Sequence, residues 1–135
     1  MIFVDTGAFL ARHLARDRHH QRALEGWHEL PRRNWRVHTS NFVLDETFTL
    51  LGRWVSHSFA AERAEAILTS DNLDILRPDA RDELEALELF RKFADQKVSY
   101  TDCVSFVLMR RYGIVRVFAF DRHFIQAGFD LWPGG

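Results

Sequence analysis

The chain predicts an α/β fold: a three-layer α/β/α sandwich around a central parallel sheet of four or five strands. Short apolar runs of strand length alternate with longer stretches that have a helical apolar period. Strands separated by helices imply parallel pairing through right-handed crossovers. At 135 residues the chain has the length of one domain, so residues 1–135 are expected to form a single domain.

The first half of the chain alternates two strands with four helices. The run Ile2-Phe3-Val4 is cut off by Asp5-Thr6-Gly7, which is typical of a short buried strand that ends in a turn. Ser40 stands where it can cap a strong helix over residues 41–55. The other elements are helices over residues 8–16, 19–30 (closed by Pro31) and 58–70, and an alternating strand over residues 35–39.

The second half is predicted to contain three strands and two long helices. Asp79 can cap an amphipathic helix that ends near residue 95, and Gly113 can end a helix over residues 102–112. Four apolar residues of the first helix are expected to face the core: Leu84, Leu87, Phe90 and Phe93. The strands are expected over residues 73–76, 115–120 and 129–132, with a short turn or helix before the last.

Composition limits the classes of function. A net charge of −1 gives the whole chain no general attraction for nucleic acid or an anionic membrane. The single Cys103 excludes an intrachain disulfide and is expected to be a small buried residue. The N-terminus lacks a basic signal-peptide region, and no apolar run approaches the roughly 20 residues that span a bilayer. A cytoplasmic protein is therefore expected.

Four acids are the chemically informative residues. Asp5 and Asp121 follow predicted strands, and Asp102 lies at a predicted helix start. Because ligands bind beyond the carboxyl ends of parallel strands, these acids are expected to converge there. Glu46 shares the apolar side of its helix, where an unpaired carboxylate is costly. Each aspartate could alone be a helix cap. Together the four suit a hard divalent cation.

Four segments in order carry a resemblance to a known family. They are Val4-Asp5-Thr6-Gly7-Ala8-Phe9-Leu10, Thr39-Ser40 followed by Glu46, Ser99-Tyr100-Thr101-Asp102, and Phe118-Ala119-Phe120-Asp121-Arg122-His123-Phe124. They resemble the acidic motifs of PIN-domain proteins over nearly the full chain, and within that family the small VapC-type toxins of toxin–antitoxin systems. The resemblance implies a Mg²⁺- or Mn²⁺-dependent endoribonuclease, usually a homodimer, which is neutralised by a cognate antitoxin protein.

The resemblance also implies roles for individual residues. Asp5, Glu46, Asp102 and Asp121 correspond to the metal-site and catalytic acids, and Thr6 and Thr101 correspond to supporting hydroxyl positions beside them. Asp5 and Asp102 are the first choice as direct ligands. Glu46 and Asp121 are expected to bind through metal-bound water or to orient the nucleophile. A divalent cation would relieve the repulsion among these carboxylates and activate water for attack on an RNA phosphodiester.

Other classes of function remain as alternatives. One is a catalytically silent PIN-like module that binds RNA or protein. Another is a phosphotransfer enzyme, which would need a lysine or a second aspartate close to Asp5, and the sequence has neither. The segment Asp5-Thr6-Gly7-Ala8 also matches aspartic proteases, but their all-β fold needs strands before the motif.

Histidine and arginine patterns are less informative. His13, His19, His20 and His28 are expected to be surface residues rather than zinc ligands, and a capping or solvated role is favoured for His123. Several arginines are candidate RNA contacts, although a solvated face is the favoured explanation: Arg12, Arg16, Arg32, Arg33, Arg36, Arg110 and Arg111. Trp54 or Phe59, if exposed, would fit a protein partner.

Overall fold

The computed structural model, which describes residues 1–134, contains one five-stranded sheet in the order β3-β2-β1-β4-β5. All four strand pairings are parallel, as the sequence predicts. Register is set by pairs such as Phe3 with His38 and Val4 with Phe118. The strands are β1 (Ile2–Val4), β2 (Val37–Ser40), β3 (Leu73–Leu76), β4 (Arg116–Phe118) and β5 (Asp130–Trp132).

Helices connect every pair of consecutive strands. They are α1 (Thr6–His13), α2 (His20–Glu29), α3 (Asn41–Trp54), α4 (His57–Leu68), α5 (Ala80–Lys92), α6 (Tyr100–Arg111) and α7 (His123–Gln126). The chain moves from β1 to β2 to β3 in one direction across the sheet and then crosses back to β4. Right-handed crossovers therefore place α1 to α4 on one face and α5 and α6 on the other. The predicted α/β/α sandwich is confirmed, with five strands.

Local hydrogen bonds explain where the helix ends differ from expectation. Helix α1 ends at His13 rather than residue 16, with Leu14 already extended, and before α2 the Asp17 carboxylate accepts the backbone N–H of His19 at 2.8 Å in a turn. Helix α6 begins two residues early, at Tyr100, since Ser99 and Asp102 form a reciprocal capping box. Helical structure does not end at Pro31, because a 3-10 helix covers Leu30–Arg33.

The inward face of α5 is not the one that its leucines and phenylalanines suggest. Leu84 is 65% exposed and Phe90 43% exposed, so their predicted burial is wrong, whereas Phe93 is buried as expected. The residues buried from α5 itself are Asp82 and Ala86. Asp82 lies inside because it caps its own helix and accepts a hydrogen bond from Arg111 of α6. A capped and paired carboxylate thus sets the rotation of this helix.

The core is aromatic and centres on β4. Phe118 is fully buried, and its ring centroid lies 5.2 Å from that of Trp27 of α2 and 5.0 Å from that of Trp132 of β5. Gly26 lets α2 approach this ring, because a Cβ atom there would stand 2.7 Å from Phe118 Cζ. Within residues 1–134, no helix is long and apolar enough to cross a membrane.

We expect Gly26→Ala to destabilise the fold, because the added methyl collides with Phe118 in a packed core. Overpacking costs about 1–3 kcal/mol, more than the roughly 1 kcal/mol that alanine gains over glycine in a helix. Urea unfolding followed by circular dichroism measures the change. Gly52→Ala in α3 is the matched control, since the nearest atoms to its Cβ would be those of the exposed His57 ring, at 3.2 Å, with Ala60 Cβ at an ordinary 3.9 Å. Equal stability of the two variants would contradict the packing argument.

Candidate active site

The site lies where the strand order reverses, at the carboxyl ends of β1 and β4. Asp5 follows β1 directly, and its backbone N–H donates to the Phe118 carbonyl of β4 at 3.0 Å. Asp121 comes three residues after β4 ends. The two neighbouring strands leave the sheet toward helices on opposite faces, which opens a crevice between them. The sheet topology therefore brings together the first and last acids of the chain.

Helix starts supply the other two acids. Ser40 caps α3 by accepting the Val43 N–H at 3.1 Å, and Glu46 stands in the second turn, half-buried. Ser99 caps α6 by accepting the Asp102 N–H at 3.0 Å, and this holds Asp102 at the same edge of the sheet. Asp102 is therefore both a capping-box residue and a member of the carboxylate group. Capping therefore does not exclude Asp102 from the group of acids.

Asp5 is not explained by capping. It occupies the N-cap position of α1 and is only 5% exposed, but among residues 1–134 its carboxylate makes no capping hydrogen bond. Burial, followed by the charge of Asp102, raises the pKa of Asp5 well above its ordinary value, and Asp121 and Glu46 act in the same direction. All four acids thus lie close enough to interact electrically around Asp5.

The pKa of Asp102 is raised for similar reasons. Burial and the neighbouring Asp121 raise its pKa from 3.8 to about 6, although hydrogen bonds from Ser99 and the nearby His123 oppose the shift. Carboxylates gathered in a low-dielectric crevice repel one another, and either a proton or a cation relieves the repulsion. Oxygen donors of this kind suit Mg²⁺ or Mn²⁺.

The threonines beside the acids differ in burial and in hydrogen bonding. Thr6 is 6% exposed, and its buried hydroxyl oxygen has no hydrogen-bond partner within residues 1–134. Such an orphaned polar atom beside Asp5 fits a place that water or an ion completes. Thr101 is half-buried in the first turn of α6, next to Asp102. Thr39, which was not predicted to have a function, donates to the Val4 carbonyl at 2.8 Å and fixes the end of β1.

His123 joins the acids, contrary to the solvated or capping role that its sequence position favours. Its Nδ1 atom lies 3.0 Å from Asp121 Oδ1 and 3.7 Å from Asp102 Oδ2. Asp102, Asp121 and His123 each offer a ligand atom within 4.8 Å of the others, a spacing that suits one metal ion. The sequence signal was its place two residues after Asp121, at the start of α7.

A cavity of about 790 Å³ lies at the opposite edge of the sheet, where the strands begin. Arg12, one of the candidate RNA contacts, lines this cavity and stacks on Trp27, 4.6 Å from the ring centroid, away from the carboxylates. His13 also lines it, and burial, with the charges of Arg12 and Arg63, lowers the His13 pKa to about 4. His13 is thus half-buried rather than fully exposed.

Other candidate RNA contacts also have partners elsewhere. Arg36 pairs with Asp74 at 2.6 Å beside this cavity, and Arg33 pairs with Glu29 at 3.4 Å. Arg110 donates to the Ala127 carbonyl at 3.0 Å, and Arg111 pairs with Asp82. Cys103 is fully buried, as expected, and burial raises its pKa to about 11, which makes it a poor nucleophile.

Comparison with known proteins shows which family this chain resembles. A profile of the PIN domain matches residues 2–130. The chain is 40% identical over 129 residues to the 23S rRNA-specific endonuclease VapC20 of Mycobacterium tuberculosis, covering 96% of this chain and 95% of that protein. It is 30% identical over 133 residues to a VapC ribonuclease of Archaeoglobus fulgidus, covering 96% of this chain and 83% of that protein.

A solved structure agrees in fold. The crystal structure of Mycobacterium tuberculosis VapC20, described as a toxin that cleaves the sarcin–ricin loop, superposes with a TM-score of 0.85 and 37% sequence identity. The match covers 96% of each chain. The likeness therefore spans both the sheet and the helices that carry the acids.

We expect metal-free Asp102→Asn to be more stable than the wild type at pH 7.5. Between the ordinary pKa of 3.8 and the folded value of about 6, the folded protein binds more protons than the unfolded chain. Stability therefore falls as pH rises through that window. The amide removes a cost on the order of 1–3 kcal/mol, several degrees in Tm, yet can still accept the Ser99 N–H.

Thermal unfolding in EDTA at pH 4 and pH 7.5 measures this, and the advantage of the variant should shrink toward pH 4. Asp45→Asn is the control, because Asp45 is an exposed acid on α3 beside Glu46. Its Tm should stay within about 1 °C of the wild type, as for most surface changes. A lower Tm for Asp102→Asn at pH 7.5 would show that repulsion does not dominate this crevice.

Proposed function

The chain belongs to the PIN-domain family, and from that premise we propose that it is a metal-dependent endoribonuclease, the toxin of a type II toxin–antitoxin pair. The observation that carries the proposal is the buried Asp5 carboxylate, which is surrounded by three further acids from distant parts of the chain. A module that only bound RNA or protein would gain nothing from this repulsion. Residues 1–135 are proposed to act as one nuclease domain.

The cation is proposed to be Mg²⁺ or Mn²⁺. Asp5 and Asp102, the most buried acids of the group, would bind it directly, and Glu46 and Asp121, which are more exposed, would hold its water molecules or orient the attacking water. When bound, the ion supplies Lewis-acid polarisation of a phosphoryl oxygen and an activated water. The capping hydrogen bonds of Ser40 and Ser99 keep the helix-borne acids in place. Thr6 and Thr101 are proposed to support the site from beside Asp5 and Asp102.

The substrate is proposed to be 23S ribosomal RNA at the sarcin–ricin loop. The support is the likeness over 96% of both chains to a toxin described as cleaving that loop. A cognate antitoxin and a homodimer are proposed partners, and a cytoplasmic location, where ribosomal RNA is found, belongs to the same proposal. Trp54, which is 56% exposed at the end of α3, supports a protein contact there, whereas Phe59 is half-buried.

The RNA is proposed to approach beside β4. The His19 ring stacks on Phe120 with centroids 4.5 Å apart and planes 2° from parallel. Arg18 donates to His19 at 3.1 Å, and the Arg22 guanidinium lies 5.7 Å from the Phe120 ring centroid. Phe120 directly precedes Asp121, so this basic and aromatic group borders the carboxylates. Flat rings and arginines together suit unpaired bases and phosphates.

We expect the wild type to cut a sarcin–ricin hairpin at a discrete position in Mn²⁺ or Mg²⁺, and not in EDTA. Asp5→Asn should lower the single-turnover cleavage rate by about 100-fold or more, because losing a direct ligand removes several kcal/mol of transition-state stabilisation. Asp45→Asn, which changes an exposed acid of α3, should cleave like the wild type. Gel analysis of end-labelled RNA gives both rate and position.

The outcomes separate the alternatives. Metal-dependent cleavage of total RNA but not of the hairpin would support the nuclease and reject the substrate. Tight RNA binding without cleavage in any metal, with Asp5→Asn behaving like the wild type, would favour a catalytically silent RNA-binding module.

We expect Arg18→Ala in the Asp5→Asn background to weaken hairpin binding severalfold. The loss of one phosphate contact should reduce the slope of log affinity against log salt by about 0.7. Fluorescence anisotropy over a range of KCl concentrations measures both effects. Arg81→Ala is the control, since Arg81 is exposed on α5, away from β4. Equal effects of the two variants would place the RNA elsewhere.

A further inference from the structure

His123 presents a nitrogen donor to a site whose other donors are oxygens. It begins α7, and its backbone N–H donates to Asp121 Oδ1 at 2.9 Å, which closes a tight turn. This turn directs the imidazole back toward the acids. Nδ1 then lies 3.0 Å from Asp121 Oδ1 and 3.7 Å from Asp102 Oδ2. The ring is therefore positioned by the same residue that it approaches.

The imidazole nitrogen is buried without a hydrogen bond. The His123 Nδ1 atom is closed off from solvent and has no hydrogen-bond partner within residues 1–134, because its contact with Asp121 is close but poorly directed. A buried polar atom in this condition is rare, and an ion or water that completes it is the usual explanation. One ion could reach Nδ1 together with an oxygen of Asp102, and Asp121 would then lie close enough to hold its water, since these three ligand atoms lie within 4.8 Å of one another.

We propose that His123 Nδ1 is a direct ligand of the divalent cation in the carboxylate site, which makes the site prefer Mn²⁺ to Mg²⁺. The inference rests on the proposed function, because it assumes that Asp5 and its neighbours hold a cation. Mg²⁺ strongly favours oxygen ligands and retains its water, whereas first-row transition metals accept imidazole. One nitrogen among carboxylates therefore shifts selectivity without excluding either ion.

The competing arrangement is an imidazolium that only neutralises the two aspartates. In that arrangement His123 supports the acids through charge, and no nitrogen touches the metal. Both arrangements predict that removing the ring impairs cleavage, so activity alone does not separate them. A direct ligand has a spectroscopic signature that an ion pair lacks.

Electron spin-echo envelope modulation of bound Mn²⁺ is the decisive measurement. Wild-type protein with one equivalent of Mn²⁺ should show ¹⁴N modulation from a coordinated imidazole, and labelling with ¹⁵N-histidine should replace it. His123→Ala should lose the modulation. His28→Ala is the matched control, because His28 is an exposed histidine near the end of α2, and it should retain the modulation.

Affinity gives a second readout. We expect His123→Ala to weaken Mn²⁺ binding about tenfold or more, while Mg²⁺ binding, measured by competition against Mn²⁺, changes far less. The proposal predicts that the ratio of Mn²⁺ affinity to Mg²⁺ affinity falls in His123→Ala. Since the wild-type ¹⁵N experiment needs no variant, a folding defect in His123→Ala leaves the proposal testable.

Two failures are distinguishable. If Mn²⁺ binds and Asp5→Asn abolishes binding, but the wild type shows no nitrogen coupling, the direct-ligand proposal is overturned and the proposed nuclease site stands. If Mn²⁺ binds neither protein, the metal site itself is absent and both proposals fail. A parallel loss of Mn²⁺ and Mg²⁺ affinity in His123→Ala would also overturn the selectivity argument.

Discussion

Burial of the Asp5 carboxylate in the crevice between β1 and β4 is the constraint on which the rest of the site depends. The parallel sheet fixes its backbone, since the Asp5 N–H continues the pairing of β1 with β4. Desolvation makes its charge costly, and the other acids add to the cost rather than relieve it. The acids therefore lower the stability of the fold at the point where the strands diverge. A bound cation would offset this cost.

The two edges of the sheet differ in charge. Carboxylates gather where the strands end, whereas the cavity where they begin is lined by three arginines (Arg12, Arg36 and Arg63) and two aspartates (Asp71 and Asp74). The arginines at that edge stack on aromatic rings or pair with acids, as Arg12 does with Trp27 and Arg36 with Asp74. A net charge of −1 conceals this separation. It also explains why counting arginines along the chain does not locate a path for RNA, whereas the surroundings of Phe120 suggest one.

Helix ends are determined by local sequence, whereas helix rotation depends on tertiary packing. Ser40, Asp79 and Gly113 act as the sequence indicates, because capping depends on neighbouring residues alone. The rotation of α5 was misjudged, since an apolar stripe of Leu84 and Phe90 competes with the pairing of Asp82 and Arg111 across two helices. Nothing in the sequence of α5 alone reveals a partner on α6.

The sequence by itself determined the alternating α/β pattern and the four acids, because periodicity and residue type are local properties of a chain. It also determined their common edge, since parallel strands connected by helices can end only on one side of a sheet. Only the tertiary structure decided which acids are desolvated, that Asp102 both caps α6 and joins the site, and that His123 faces Asp121 and Asp102. These outcomes depend on distances between residues far apart in the chain, which packing around Phe118 and the crevice between β1 and β4 set together.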